Sequence, residues 1–340
     1  MSRVLLLFGG RSAEHEVSCV SAVAIYDALV EGGHRVIPVG IDREGAWWIV
    51  DTAHRPFRAE GRPAALRLPD GRLLVGDNAV NYDVVFPVLH GPYGEDGTIQ
   101  GVFEIAGKPY VGCGVLPSAL AMDKDIAKSA FESAGIPTSR WRVVRGPAYR
   151  ANPDGTVRSI LRELGSPVFV KPAELGSSVG ISKAEKPLEV KRAIEVALRY
   201  GEKVVVEEFI SGREIEVAVL DGPRTALAGE VHSAGEWYDY TSKYEDEASD
   251  FEAPARLSER RMAEVRSLAA RAFQAIECRG LARIDFFYLG GGGGFVINEV
   301  NTMPGFTPIS GFPKMWAATG MTYAELCNEL VNLAMVGERL

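Results

Sequence analysis

The chain has 340 residues, 45 of them acidic and 37 basic, so its formal net charge is −8. The length predicts roughly two or three domains, and the negative balance argues against a protein that binds nucleic acid or a membrane surface through broad positive charge. Its apolar runs, such as 4–8, are too short to span a membrane or to form a signal-peptide core, and its four cysteines lack CxxC spacing. We therefore expect a cytoplasmic protein with reduced thiols, in which a local basic cleft could still hold a small polyanion.

The first segment predicts a β-α-β unit. Residues 4–8 form an apolar run that ends at two glycines, residues 17–29 carry apolar side chains at helical spacing, and residues 36–41 form a second apolar run. Such a unit implies an open parallel sheet with helices on its faces. The sequence therefore predicts an α/β domain at the N-terminus.

The remainder of this domain contains one long irregular stretch and one more strand. Residues 51–78 are rich in arginine, proline, glycine and aspartate, which predicts turns and at most a short hairpin. The apolar run 82–89 predicts a strand that delivers the segment starting at His90 to its carboxyl end, where open α/β sheets bind ligands.

Two further domains are predicted from changes of pattern along the chain. A helical pattern over 118–133 is followed by strand-like and helical segments of another character, and a glycine follows the strand-like run 204–210. We predict domains at 1–122, 123–212 and 213–340. In the last of these, a helix is expected to start with Ser258 as its N-cap and to end at Gly280.

The clearest chemistry lies in a predicted hairpin, 283–289 and 295–301, joined by five glycines. Because side chains alternate across a strand, Arg283, Asp285 and Phe287 should share one face. The same alternation places Phe295, Ile297, Glu299 and Asn301 on one face of the partner strand.

A hairpin symmetric about Gly292 would set Asp285 opposite Glu299. Facing like charges are destabilising, so the pair predicts a compensating cation, and its oxygen donors suit Mg²⁺ or Mn²⁺. A solvated sheet face with a bulge that separates the acids is the alternative.

Other segments could hold phosphate or a base. Lys171 ends an apolar strand and precedes a glycine- and serine-rich turn that could fold over phosphates, although most such turns are ordinary. The strand 204–210 offers an apolar wall beside Glu207 and Glu208, or it is simply a buried strand that emerges into solvent. No P-loop or GxGxxG pattern is present.

Taken in order, motifs along nearly the whole chain resemble the D-alanine:D-alanine ligases of the ATP-grasp superfamily. They include His90-Gly-Pro-Tyr-Gly-Glu-Asp-Gly97 and Asn298-Glu-Val-Asn-Thr-Met-Pro-Gly-Phe-Thr307, together with the segments 9–18, 122–124, 171–180, 207–214, 242–244 and 283–285. The resemblance implies an N-terminal open parallel sheet domain followed by a two-domain ATP-grasp fold of α+β type, with ATP between two antiparallel sheets. It also implies ligation of two D-alanines for peptidoglycan synthesis, two Mg²⁺ or Mn²⁺ ions, a cytoplasmic location and a homodimer.

The resemblance assigns nucleotide and metal contacts to matching positions. Phosphates would be bound by Lys124, Lys171, Lys243 and a loop containing Ser177 and Ser178; adenine and ribose by Glu207, Glu208, Phe209, Ile210, Glu214, Phe287 and Asn298; and metals by Asp285, Glu299 and Asn301.

It also assigns the residues that act on the amino acids. Glu14 would hold the first ammonium group and hydrogen-bond with Ser177 and Tyr244, while Arg283 and the N–H of Gly305 would stabilise the tetrahedral oxyanion. His90 would lie near the first substrate, and Ser310 would bind the second carboxylate. As alternatives, Glu14 favours a helix N-terminus and His90 is an ordinary turn residue.

Two positions depart from the family pattern. Many relatives carry leucine or methionine where this chain has Gly311, and amides or basic residues are common where it has Glu174. We hypothesise that Gly311 enlarges the second substrate site. A D-lactate or D-serine ligase and a non-catalytic nucleotide-binding module are the rival functions. Tyr244 argues against D-lactate, and the intact set of charged residues argues against a decayed site.

Overall fold

A computed structural model describes residues 1–176, 179–232 and 250–337. Four predicted site residues, Ser177, Ser178, Lys243 and Tyr244, lie outside these ranges. Within them, no helix combines the length and apolar character that crossing a membrane would require.

The predicted β-α-β unit is confirmed. Strand β1 (Arg3–Gly9) pairs in parallel with strand β2 (Arg35–Ile41), and helix α1 (His15–Glu31) connects the two. The chain then adds four short strands, β3 to β6, and β7 returns parallel to β1 on its other side. These strands are Trp47–Ile49, Arg62–Arg67, Arg72–Val75, Asn78–Val80 and Val84–Val88.

The prediction of at most a short hairpin over residues 51–78 was wrong, because this stretch contributes more strands than one hairpin contains. Strands β3 to β6 extend the sheet as an antiparallel meander in the order β6-β5-β4-β3-β2-β1-β7. Strand β4, with the sequence RPAALR, is largely exposed, so it lacks the strong apolar alternation that identifies a strand. The sheet is thus parallel at its buried side and antiparallel at its exposed edge.

The helical pattern over 118–133 divides into two helices. After α2 (Thr98–Ile105), helix α3 (Val115–Met122) stops at Asp123, and α4 (Lys124–Ser133) begins directly after it. Asp123 has an extended backbone, and its carboxylate accepts hydrogen bonds from the N–H groups of Asp125 and Ile126. This N-cap fixes Lys124 as the first residue of α4.

The second sheet is antiparallel, with the strand order β10-β9-β11-β8. Helices α6 and α7 cover one face, where Val168, Val170, Val204 and Val206 are buried. The opposite face therefore carries Phe169, Lys171 and Glu207. The elements of this region are β8 (Trp141–Arg145), α5 (Gly146–Ala151), α6 (Pro153–Leu164), β9 (Val168–Pro172), β10 (Ser182–Ala184), α7 (Pro187–Ala197) and β11 (Lys203–Glu208).

The third sheet is also antiparallel, in the order β15-β14-β12-β16-β17, with β13 on β12. Helix α8 (Glu259–Ala275) packs on one face of this sheet. Ser258 caps it as predicted, but the helix ends at Ala275, a few residues earlier than expected. The elements of this third region are β12 (Arg213–Leu220), β13 (Arg224–Thr225), β14 (Gly229–His232), β15 (Asp250–Glu252), α8 (Glu259–Ala275), β16 (Leu281–Tyr288) and β17 (Phe295–Asn301).

The register of the β16–β17 hairpin confirms one prediction and corrects another. Asp285 lies opposite Glu299, as expected, but the pairing shifts at the next residue, where Phe286 faces Ile297. Asn298 is the extra residue of this bulge. Because the shift reverses the alternation, Phe295 and Ile297 point into the apolar core, not onto the face of Glu299.

The last two helices, α9 (Gly311–Ala318) and α10 (Tyr323–Val336), return to the first sheet. Leu326 and Leu330 of α10 share one buried core with Ala22 and Ile25 of α1. The first sheet lies within 3–88, the second within 141–208 and the third within 213–301. The domain limits after residues 122 and 212 stay predictions.

Candidate active site

A cleft lies between the exposed faces of the second and third sheets. Most of the residues predicted to bind nucleotide or metal line it together: Lys124, Lys171, Glu207, Glu208, Phe209, Ile210, Glu214, Arg283, Asp285, Phe287, Asn298 and Glu299. Asn301 adjoins them, because its amide donates to Asp285 over 2.9 Å.

The floor of the cleft is a buried charge cluster centred on Glu207. Its carboxylate lies 3.2 Å from Lys171 Nζ and 3.5 Å from Lys128 Nζ, and Lys128 also donates to Ser139 over 2.8 Å. Burial alone would raise the pKa of Glu207, but Lys128, Lys171 and Lys124 outweigh it and lower the pKa to about 2. Glu207 is therefore a carboxylate held by several ammonium groups.

The neighbouring lysines form the cationic side of this floor. Lys124 donates to the carbonyl of Leu175 over 2.6 Å, beside the predicted phosphate loop. Burial lowers the pKa of both Lys124 and Lys128. Because the nearby carboxylates Glu207 and Glu299 oppose this shift, the cluster can present positive charge to an anion.

The upper part of the cleft is aromatic. The rings of Phe169 and Phe209 lie 5.9 Å apart, and Ile210 and Phe287 also line the cleft. Glu208 borders it too, but its carboxylate accepts hydrogen bonds from the backbone and guanidinium of Arg140. A flat heterocycle would fit between such apolar walls.

Carboxylates gather at the other end of the cleft. Asp285 and Glu299 face each other across β16 and β17, and Glu214 on β12 lies opposite Phe287. Burial, together with Asp285 and Glu299, raises the pKa of Glu214 to about 7. This concentration of oxygen donors matches the ligand preference of hard divalent cations.

Arg283 is held between two acids on the same sheet face. Its guanidinium donates two hydrogen bonds of 2.7 Å to Asp285, and its Nε lies 3.3 Å from Glu216. Glu216 and Arg283 are buried, and the side chain of Asp285 is 13% exposed. This arrangement fixes the orientation of the Arg283 guanidinium at the edge of the cleft.

The residues predicted to bind the first amino acid lie outside the cleft lining, near the first sheet. Ser18 secures the preceding turn, because its hydroxyl accepts from Gly9 N over 2.7 Å and donates to the carbonyl of Val88. A Cβ on Gly91 would lie 3.2 Å from Glu14 Oε2, so Glu14 is adjacent to the His90 segment.

His90 connects this region to the third sheet. Its Nδ1 donates to the carbonyl of Met303 over 2.9 Å, just beyond β17. Thr302 likewise donates to the carbonyl of Glu95. His90, and with it the neighbouring Glu14, is thereby placed close to the residues that directly follow β17.

The segment predicted to bind the second amino acid surrounds the start of α9. A Cβ on Gly305 would lie 3.3 Å from Ser310 Oγ, so these two residues adjoin. The hypothesis that Gly311 enlarges this site is not supported. A Cβ on Gly311 would lie 2.7 Å from Glu216 Oε2 and 2.9 Å from the ring of Phe251, so neighbouring side chains already fill that space.

Sequence reasoning missed three members of the site. Lys128 and Ser139 complete the cluster around Glu207, and Lys128 lies one helical turn after Lys124, a spacing that could have indicated it. Glu216 lies two residues after Glu214 and so on the same strand face, which was also a usable signal.

A separate group of Glu230, His232 and Glu252 has ligand atoms within 4.8 Å of one another, in the part of the chain that the structure describes. Glu230 accepts from Arg213, and Glu252 accepts from Arg256. Because arginines already neutralise both carboxylates, this group is better described as an ion-pair network than as a cation site.

Comparisons with known proteins agree with this geometry. Residues 3–113 match the family model described as D-ala D-ala ligase N-terminus, and residues 130–332 match D-ala D-ala ligase C-terminus. The D-alanine–D-alanine ligase of Pseudarthrobacter chlorophenolicus is 45% identical, over 98% of this chain and 94% of that protein.

Two solved structures are similar over nearly their whole length. The VanG D-Ala:D-Ser ligase of Enterococcus faecalis has a TM-score of 0.86 at 34% identity, covering 98% of this chain and 99% of the other. The D-alanine–D-alanine ligase of Coxiella burnetii has a TM-score of 0.85 at 33% identity, covering 98% and 95%.

Proposed function

The chain belongs to the D-alanine–D-alanine ligase family, and from this membership we propose that it joins two D-alanines, converting ATP to ADP and phosphate. It is an enzyme, a ligase of ATP-grasp type, and its substrates are ATP and D-alanine. The observation that carries the proposal is the single cleft that collects buried lysines, an aromatic slot, facing acids and Arg283.

The cleft suits ATP in the chemistry of its lining. Glu207 Oε1 is a buried acceptor without a hydrogen-bond partner among the described residues, and the exocyclic amine of adenine is a donor that could satisfy it. Phe209, Ile210 and Phe287 would enclose the base, while Glu214 would accept from the ribose. Lys124 and Lys171 would neutralise phosphates.

The metal site is proposed from its donor set. Asp285, Glu299 and Asn301 offer hard oxygen ligands, which fit two Mg²⁺ or Mn²⁺ ions better than softer metals. When bound, such ions would offset phosphate charge during transfer.

We propose the following roles for the side chains. Glu14 would hold the ammonium group of the first D-alanine. The carboxylate of that D-alanine would then attack the γ-phosphorus in line with ADP, the leaving group. Lys124 and Lys171 would neutralise the transferred phosphoryl oxygens. Ser177, Ser178 and Lys243 are proposed to cover these phosphates. The product of this step is an acyl phosphate.

The amine of the second D-alanine would then attack the acyl carbon, and phosphate would leave. Arg283 and the N–H of Gly305 would donate to the oxyanion, and Ser310 would bind the second carboxylate. His90 would adjoin the first substrate, and Tyr244 would link to Glu14. Closure of the site excludes water, which protects the acyl phosphate from hydrolysis.

A direct assay tests the proposal. With ATP, Mg²⁺ and D-alanine, the chain should form D-alanyl-D-alanine, seen by mass spectrometry, with one phosphate released per dipeptide. EDTA should abolish the reaction, and added Mg²⁺ or Mn²⁺ should restore it. D-lactate and D-serine are offered in competition. A predominant product other than D-alanyl-D-alanine, or phosphate release independent of D-alanine, would contradict the proposed function.

We also propose that the chain is a cytoplasmic homodimer. The four cysteines are free and buried, which suits a reducing compartment. Ile105 and Leu116, on α2 and α3, are exposed apolar side chains that could contribute to a subunit contact. Light scattering on the purified chain tests the dimer, and a monomer mass would contradict it.

A further inference from the structure

The two carboxylate oxygens of Glu207 have different surroundings. Oε2 lies 3.2 Å from Lys171 Nζ, 3.5 Å from Lys128 Nζ and 3.4 Å from the hydroxyl of Ser139. Oε1 is buried and has no hydrogen-bond partner among the described residues. Since buried polar atoms in native proteins are nearly always hydrogen-bonded, Oε1 is the oxygen left for a donor on a ligand in the cleft.

Only one of the two lysines beside Oε2 can reach such a ligand. Lys171 lines the cleft with 12% of its side chain exposed, so a phosphate can compete with Glu207 for its ammonium group. Lys128 is 1% exposed, which leaves it no surface for a ligand. Any effect of Lys128 on nucleotide binding therefore acts through a neighbour, and Glu207 is its neighbour in the cleft lining.

Lys128 and Ser139 are themselves held in place. Lys128 Nζ donates to Ser139 Oγ over 2.8 Å, and that hydroxyl donates onward to Glu207 Oε2. The ring of Trp141 lies 5.9 Å from Lys128 Nζ, and Trp141 is directly opposite Glu207 in the β8–β11 ladder. The ammonium group, the hydroxyl and the carboxylate thus form one buried, connected group.

We infer that Lys128 and Ser139 are positioning residues for nucleobase selection, because they hold Oε2 of Glu207 and so keep Oε1 as a fixed acceptor for the base. This inference rests on the proposed function. When a phosphate draws Lys171 away from Glu207, Lys128 and Ser139 still hold the carboxylate. The pair therefore separates recognition of the base from binding of the phosphates.

The charge of Glu207 determines which base it accepts. Burial would raise the pKa of Glu207, but Lys128 is the first of the lysines that instead lower this pKa to about 2. An ionised carboxylate accepts hydrogen bonds and donates none. Adenine presents an exocyclic amine, whereas hypoxanthine carries an oxygen at the same position and would place a second acceptor against Oε1. The site should therefore prefer ATP to inosine triphosphate.

The experiment measures kcat/KM for ATP and for inosine triphosphate by D-alanine-dependent phosphate release. In Lys128→Met the ratio of the two values should fall about tenfold, because the site rejects hypoxanthine only while Oε1 is a fixed acceptor. The KM for ATP should rise with kcat nearly unchanged, since the base is remote from the reacting phosphate. Ser139→Ala should give a smaller fall in the ratio.

Lys203→Met is the matched control. Lys203 is a buried lysine on the same strand as Glu207, but its ammonium group pairs with Asp123 and Asp125. This variant should be less stable and keep the nucleotide ratio of the unmodified chain. ATP and inosine triphosphate carry the same phosphates, so an equal loss with both in Lys128→Met would show only a general effect of the charge and would overturn the inference.

A double variant tests whether Lys128 acts through Glu207. Glu207→Gln should lower the nucleotide ratio, because an amide can donate to the oxygen of hypoxanthine. Adding Lys128→Met to Glu207→Gln should then leave the ratio where Glu207→Gln alone puts it. A further fall as large as that in the unmodified background would mean that the two residues act independently, contrary to the inference.

The outcomes separate the inference from its premise. Equal use of ATP and inosine triphosphate by the unmodified chain, with dipeptide still formed, overturns the inference alone. If Lys128→Met does not fold, Ser139→Ala decides, and an unchanged ratio in that variant overturns the inference equally. No dipeptide from the unmodified chain with ATP would overturn the proposed function itself.

Discussion

At the scale of single residues, buried charges govern the cleft. Glu207 is nearly inaccessible yet charged, because Lys128 and Lys171 lie within 3.5 Å and 3.2 Å of it. Removing one member of such a cluster leaves the others desolvated without compensation. These residues therefore affect stability as well as binding.

Glu207→Gln should lower the free energy of unfolding by about 3 kcal/mol, since it leaves buried lysines without their carboxylate. Urea titration without ligands measures this change. Glu163→Gln removes the partner of Arg142 from a half-exposed pair and is the matched control, with a loss below about 1 kcal/mol.

The effect of Glu207→Gln should also depend on pH. The pKa of Glu207 is lowered in the folded chain from 4.5 to about 2, so its carboxylate stabilises the fold above pH 4.5. This contribution is lost as the pH falls through about 2. The stability difference between the two proteins should shrink across that window, and a constant difference would contradict the assigned charge state.

Glu216→Gln tests whether Glu216 positions Arg283. Arg283 would keep both hydrogen bonds to Asp285 but lose the second carboxylate charge, 3.3 Å from its Nε. We therefore expect kcat to fall about tenfold while the ATP affinity stays unchanged. Steady-state kinetics and ATP titration provide the two values. Glu230→Gln, at an equally buried acid paired with Arg213, should destabilise the chain without lowering kcat. Equal falls in kcat for both variants would exclude a positioning role.

At the scale of secondary-structure elements, the start of α4 fixes where Lys124 lies. Asp123 caps this helix and also accepts from Lys203 Nζ over 2.7 Å and 2.8 Å. The break in the predicted long helix thus connects the end of α4 that carries Lys124 to the second sheet.

Asp123→Ala should lower the free energy of unfolding by about 1 to 2 kcal/mol, because the cap and one partner of Lys203 are lost. Asp123→Asn can still accept the capping hydrogen bonds, so its loss should be smaller. Urea titration compares the two variants. Equal losses would show that the cap contributes little.

The β16–β17 hairpin shows what could be predicted from the sequence and what could not. The facing of Asp285 and Glu299 follows from counting residues on either side of a glycine turn. The bulge at Asn298 does not, because nothing in the alternation of Phe295 to Glu299 indicates an extra residue. It is tertiary packing that buries Phe295 and Ile297.

The cluster around Glu207 could not be fully predicted from the sequence either. Helical spacing could have placed Lys128 on the same side of α4 as Lys124. Its contact with Glu207, which is far away in sequence, follows only from the packing of α4 against the second sheet. The exposed strands after Trp47 were missed for a different reason. Little of their surface is buried, so their apolar pattern is too weak to indicate strands.

At the scale of the whole molecule, the acidic chain brings several lysines together at the floor of one cleft. The net charge of −8 argues against a broad positive surface, while Lys124 and Lys171 line one cleft and Lys128 is buried beside Glu207. The overall charge of a protein thus says little about the ligand of an enclosed site.

The ends of the chain also form one core. Leu330→Ala should cost about 2 to 5 kcal/mol, because Leu330 is fully buried beside α1. Hydrogen exchange should show the loss of protection in β1 and α1. Ile194→Ala, in the core of the second sheet, is the matched control and should expose β9 and β11 instead. Loss of protection in the second sheet for both variants would contradict separate cores.

The packing of α10 on α1 has a consequence for the order in which the protein is made. Strand β1 and helix α1 are synthesised before the second and third sheets, but the leucines that cover them are synthesised only after those sheets. We expect the apolar face of the first sheet to stay exposed to solvent while the second and third sheets form. Nascent chains shortened before residue 323 should therefore be the ones that chaperones retain.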